Sequence, residues 1–209
     1  MQEFHRLLEI ADRLLGPQGC AWDKEQTFFS LQPYLLEETY ELIEAIDSLD
    51  SQKISEELGD CIYGLIFIAK LAESEKRFEL CQTLDGICEK LIRRHPHVFG
   101  DTKVSSTEEI VQNWEQIKKQ EQGMQERTHL FDGIPKNLPT LHKAQKMAKK
   151  LNREEGTQKD GRNWTEEELG EEIWKLVQEA QRLHLDIEGA LRRKLQELYE
   201  LHGEKPIKK

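Results

Sequence analysis

Two short acidic clusters carry the residues best suited to chemistry, Glu37-Glu38-Thr39-Tyr40-Glu41 and Glu56-Glu57-Leu58-Gly59-Asp60. Acidic runs on helices are usually solvated faces, so the direction of each side chain decides the reading. At about 3.6 residues per turn, Leu31, Tyr34, Leu35, Leu42, Ala45, Ile46 and Leu49 form one apolar stripe. Glu38 projects near the middle of that stripe and Glu41 lies on its shoulder, while Glu37, Glu44 and Asp47 point away. The second cluster leads into the apolar stretch Cys61 to Ala69, which predicts a helix buried on every side. Glu57 and Asp60, spaced i and i+3, share a line with Gly64, Ile68 and Leu71 and are expected to face inward.

Burying unpaired carboxylates together is costly, because each loses water and each repels the others. Such groups must be protonated, paired with cations or bound to metal. Four carboxylates at helical spacing supply the oxygen-rich donor set that Mg²⁺, with Mn²⁺ as a substitute, prefers. A di-iron site of the ferritin type would need Glu-x-x-His on its helices. That spacing occurs at Glu126 and His129, in a polar stretch, and the di-iron reading fails. A hard cation that keeps some of its waters points to phosphate chemistry.

Phosphates also need basic partners. Lys90 and Arg94 lie four apart on one flank of a helix whose stripe is Leu84, Cys88 and Leu91, with Arg93 pointing further outward. Lys118 projects onto the apolar face formed by Ile110, Trp114 and Ile117. A lysine there either snorkels to solvent or meets an anion. Trp114 either fills core or stacks on a base or cation. His95 and His97, one residue apart after a helix end, read as cap or packing residues.

The elements that must position these groups are helices. Periodicity and capping signals predict helices over Phe4–Leu15, Ser30–Leu49 with Pro33 in the first turn, Gln52–Ser74 and Leu80–Arg94. A further helix opens at a Ser106/Glu109 capping box and ends near Gly123. Gln18 to Phe29 reads as a loop. The polar stretch 124–137 reads as a linker between a domain at 1–123 and a second at 138–209. The second domain holds a helix from Pro139, a loop from Gly156 to Asn163, a capping box at Thr165 and Glu168, two helices and a basic tail. Strand signals are nearly absent, and the fold class is all-α.

Composition narrows the function classes. With 30 Lys+Arg against 40 Asp+Glu the formal charge is −10, which opposes general nucleic-acid binding. The longest apolar run falls short of the roughly 20 residues a membrane span requires. The N-terminus is not a secretion signal. Cys20, Cys61, Cys81 and Cys88 show no CxxC pairing and read as reduced core thiols. Together these predict a cytoplasmic protein with no membrane or nucleic-acid partner.

Glu37-Glu38-x-x-Glu41 followed after 15 residues by Glu57-x-x-Asp60 resembles the EExxE…ExxD signature of MazG-type nucleoside triphosphate pyrophosphohydrolases. The resemblance extends through the segment from Cys20 to Thr27, through Lys90-Leu-Ile-Arg93-Arg94-His95-Pro96-His97-Val98-Phe99, and through Trp114-Glu-Gln-Ile117-Lys118. It covers residues 4–150. It implies Mg²⁺-dependent hydrolysis of a nucleoside triphosphate to the monophosphate and pyrophosphate, in nucleotide-pool house-cleaning. It also implies a four- to five-helix unit completed by homodimerisation. By the same resemblance Glu38, Glu41, Glu57 and Asp60 would hold metal, and Glu37 or Glu41 would act as general base. Lys90, Arg94 and Lys118 would neutralise the triphosphate. Trp22, Lys24, Arg93 and Trp114 complete the expected nucleotide-binding set.

An internal repeat is visible. The stretch Leu169 to Ala180 resembles Leu35 to Ala45, and Ile187 to Leu195 resembles Thr83 to Leu91. In the second copy the ExxD helix is missing and Lys175 replaces the third glutamate. This predicts a truncated, catalytically dead copy. Two other readings remain: a decayed helical interaction module, and hydrolysis of another pyrophosphate-containing nucleotide.

Overall fold

The computed structural model describes residues 2–121, 129–155 and 163–203. Among the described residues the structure is helical with no strand: α1 (Gln2–Leu15), α2 (Ala21–Lys24), α3 (Phe28–Ser48), α4 (Ser51–Ser74), α5 (Leu80–Arg94), α6 (Pro96–Phe99), α7 (Thr107–Gln120), α8 (Thr140–Glu155), α9 (Glu166–Arg182) and α10 (Ile187–Gly203). The expected positions near Gly123, in 124–128, in 156–162 and in the basic tail from 204 lie outside the described residues. No described helix is long and apolar enough to cross a membrane. Close approach divides the chain into two units, Met1–Trp114 and Glu115–Lys209.

In the first unit, α3 and α4 form an antiparallel helical hairpin with a minimal turn. Leu49 takes the left-handed conformation at φ 56°, and Asp50 caps α4 by accepting the N–H groups of Gln52 and Lys53 at 3.0 and 3.3 Å. The start of α3 comes earlier than the sequence predicts, because Thr27 and Ser30 form a reciprocal capping box at 3.1 and 2.8 Å. Pro33 therefore sits inside the helix rather than in its first turn. The expected loop between α1 and α3 contains the one-turn helix α2. Lys70 of α4 ties back to α1 through Asp12 at 2.8 Å and to its own helix through Glu73 at 3.0 Å.

The expectation that α4 is buried on every side does not hold within one chain. Ile66, Phe67, Ala69 and Ala72 are buried, but Leu65 is 58% exposed, and Leu58 and Ile62 are also open. On α3, Leu36, Tyr40 and Ile43 are exposed as well. The hairpin is covered on one side only. Nor are the cysteines core thiols: Cys20, Cys81 and Cys88 are exposed and Cys61 is half-buried, all four of them free.

The second unit has its own core, in which Phe131, Met147 and Leu195 are buried and Leu130, Ile134, Ala144, Leu151, Leu191 and Leu198 pack around them. Phe131 belongs to the stretch expected to be a polar linker, yet it is 2% exposed. Lys150 reinforces this turn by donating to the carbonyls of Leu130 and Asp132, each at 2.7 Å. Three apolar residues in a short irregular segment give no periodicity to read. The Thr165/Glu168 capping box forms as expected, at 3.0 and 3.1 Å.

Candidate metal and nucleotide site

The hairpin brings the two acidic clusters together. Cys61 of α4 lies opposite Glu38 of α3, and its thiol donates to the Glu38 carbonyl at 3.4 Å. One turn away Gly64 faces Leu35, where a Cβ would come within 3.1 Å of the leucine Cδ1. In this register the carboxylates of Glu38, Glu41 and Glu57 converge, with one oxygen from each lying within 4.8 Å of the others. Glu38 and Asp60 also line a cavity of about 180 Å³ with Trp22, Asp23, Tyr34 and Tyr63. The Trp22 ring meets Tyr34 edge-on at 5.6 Å, which fixes one wall.

Electrostatics mark the same residues. The Glu38 carboxyl is raised above its ordinary value by loss of water, then by Asp60, Glu41, Glu57 and Glu37. Glu57 is raised in the same way, by desolvation and by Glu41, Glu56 and Asp60, with Lys53 opposing. The carboxylates of Glu38, Glu41, Glu57 and Asp60 make no ion pair or side-chain hydrogen bond with a described residue. The three converging carboxylates offer the oxygen donors that a hard divalent ion prefers, with Asp60 lining the adjacent cavity. The expectation that all four face inward needs correcting: Glu38 and Glu57 are half-buried, whereas Glu41 and Asp60 are exposed. Proximity, more than burial, sets their mutual repulsion. Glu37 is exposed beside the group.

The basic residues are placed differently. Arg94, at the end of α5, holds its guanidinium over the Trp114 ring at 5.3 Å. Lys90 and Arg93 are exposed on α5. Lys24 turns away, donating to the Pro17 carbonyl at 3.2 Å. Lys118, in the last turn of α7, falls in the second unit and is half-buried. None of these basic groups lines the cavity beside Glu38. His95 caps, as expected: it ends α5, starts α6 and holds the Leu91 carbonyl through Nδ1 at 2.7 Å. Tyr63 was not singled out by the sequence, and Asp23 only as part of the segment from Cys20 to Thr27. Tyr63 was hidden in an apolar run, and its phenol is raised by burial and by Asp23.

Residues 26–99, which span this hairpin, match the MazG nucleotide pyrophosphohydrolase domain. The nucleoside triphosphate pyrophosphohydrolase/pyrophosphatase MazG of Thermotoga maritima is 35% identical over 99% of this chain and 92% of its own length. This chain belongs to the MazG family. A nucleoside triphosphate pyrophosphohydrolase of Escherichia coli is 44% identical over 72% of the chain, which spans 57% of that relative's length. The crystal structure of a mazG-related protein from Thermotoga maritima superposes with a TM-score of 0.50 at 33% identity, covering 55% of this chain and 98% of that one. The MazG match contains every carboxylate of the group, along with Lys90, Arg93 and Arg94.

Proposed function

We propose that this protein is a divalent-metal-dependent nucleoside triphosphate pyrophosphohydrolase. The observation that carries the proposal is the convergence of Glu38, Glu41 and Glu57 from two helices, within 4.8 Å and beside a cavity bordered by Asp60 and Trp22. Glu38, Glu41, Glu57 and Asp60 would hold Mg²⁺, or Mn²⁺ in its place. Bound there, the metal supplies a lowered water pKa and charge neutralisation on phosphate oxygens.

The chain's own residues do the rest. Trp22 borders the nucleotide. Lys90 and Arg94 offset charge on the departing pyrophosphate, with Arg93 and Trp114 completing the nucleotide-binding set. Glu37 or Glu41 takes the proton of the attacking water as its oxygen bonds to the α-phosphorus and the bond to the bridging oxygen of pyrophosphate breaks. The products are the nucleoside monophosphate and pyrophosphate. A role in clearing aberrant nucleotides from the pool fits that reaction.

We further propose a homodimer. The open apolar face of α3 and α4, including Leu36, Tyr40, Ile43 and Leu65, supports this, since contiguous exposed apolar surface marks an interaction site. The second unit is read as a degenerate copy kept for structure: Lys175, standing where the third glutamate would be, pairs with Glu172 at 2.7 Å. Purified protein incubated with each NTP and dNTP plus Mg²⁺ should release pyrophosphate, and Glu38→Ala and Asp60→Ala should remove the release. Equal release from wild type and both variants would sink the reading.

A further inference from the structure

The second unit, Glu115–Lys209, contains a cavity that this reaction leaves unused. It lies between the entry to α8 and one face of α10 and holds about 460 Å³, inside the roughly 300–1,000 Å³ range of small-molecule sites. Lys136, Lys143, Arg192 and Arg193 line it. No carboxylate does so among the described residues, in a chain with 40 acids and 30 bases. None of the four cations forms a hydrogen bond or ion pair with a described residue. Two acids stand at its edge: Glu188 accepts from the hydroxyl of the lining residue Thr140, and Asp186 accepts the Gly189 N–H at 2.8 Å with its other oxygen on the side of Arg193.

The rest of the lining is mixed: Asn137, Thr140 and Gln196 are polar, and Leu138, Met147 and Leu195 are apolar. Met147 and Leu195 belong to the buried core, so they form a rigid floor. Tyr199 supplies an aromatic wall, and His129 stacks on it at 3.8 Å with planes 13° apart. The Phe131 N–H donates to His129 Nδ1 at 3.1 Å, which leaves the other ring nitrogen to donate to the Tyr199 carbonyl at 2.9 Å.

Like charges gathered in one concavity repel one another and raise the local concentration of anions. Paired arginines offer the planar fork that matches phosphate oxygens. An apolar floor with an aromatic wall accepts a ring. We infer that this cavity binds a phosphorylated small molecule bearing a heterocyclic ring, of the nucleoside di- or triphosphate class. This is a second ligand site, on residues other than the carboxylate group.

Calorimetric titration of the full chain with ADP in EDTA tests the inference, because chelation removes the metal that the first site requires. We expect one site per chain, with affinity falling as salt rises. Arg192→Gln/Arg193→Gln and Lys143→Gln should each weaken binding about tenfold or more, whereas Lys143→Arg should retain it. Glu38→Gln should leave the affinity unchanged, which separates this site from the proposed catalytic one. Absence of binding at millimolar ADP would overturn the inference. Unchanged affinity in the arginine double variant, loss of binding in Glu38→Gln, or tighter binding of a polyglutamate peptide than of ADP would overturn it equally.

Discussion

The Cys61 thiol and the Glu38 carbonyl, 3.4 Å apart, join α4 to α3 at the level of the carboxylates. A slip of one turn along either helix would move a side chain about 5.4 Å, enough to separate Glu41 from Glu57. The thiol is pushed up from its ordinary range by burial and then by the Glu38 carboxylate. It should therefore stay protonated near neutrality and react slowly. Timed labelling with a maleimide at pH 7.5 and peptide mapping should find Cys61 modified after the exposed Cys20 and Cys88. Labelling of Cys61 first would contradict this placement.

Glu38→Gln should have opposite effects with and without metal. Glu38 is raised above the unfolded value, so the folded chain holds a proton that the unfolded chain has already released. Its contribution is present below the unfolded pKa and is lost as pH rises through the folded one. Without metal, the stability difference between Glu38→Gln and wild type should grow in favour of the variant over that window. Urea unfolding in EDTA from pH 4 to 7 measures it. With Mg²⁺, wild type should gain melting temperature by mass action and the variant should gain little. A variant that responds to Mg²⁺ as wild type does would exclude Glu38 as a ligand.

Gly64→Val should loosen the hairpin. The first added carbon already sits 3.1 Å from Leu35 Cδ1, and the valine methyls crowd it further. Overpacking of this kind costs about 1–3 kcal/mol, to be read from urea unfolding. If α3 moves aside, Mg²⁺ stabilisation should fall as well, because Glu38 and Glu41 move with it.

Leu49→Gly should stabilise the protein. Leu49 closes the α3–α4 turn at φ 56° and is 82% exposed, so its side chain contributes little packing. An L-residue in the left-handed region costs about 1–2 kcal/mol that glycine avoids. Greater unfolded-state entropy for glycine offsets part of the gain. A higher melting temperature is expected, with the Mg²⁺ response intact.

The sequence by itself determined the long helices, from apolar periodicity and from caps such as Thr165 with Glu168, but not the one-turn helices α2 and α6. It also determined the donor chemistry, because the spacing of Glu38, Glu41, Glu57 and Asp60 is a property of each helix alone. Periodicity states which way a side chain points from its own axis, and says nothing of what stands opposite. Only the tertiary structure decided that Glu38, Glu41 and Glu57 converge, and that Arg94 rests over Trp114 while Lys24 turns to Pro17. It also left Leu65 open rather than buried and drew Phe131 from an expected linker into a core. These outcomes depend on register and on which faces meet, and both are set by contacts between residues distant in the chain.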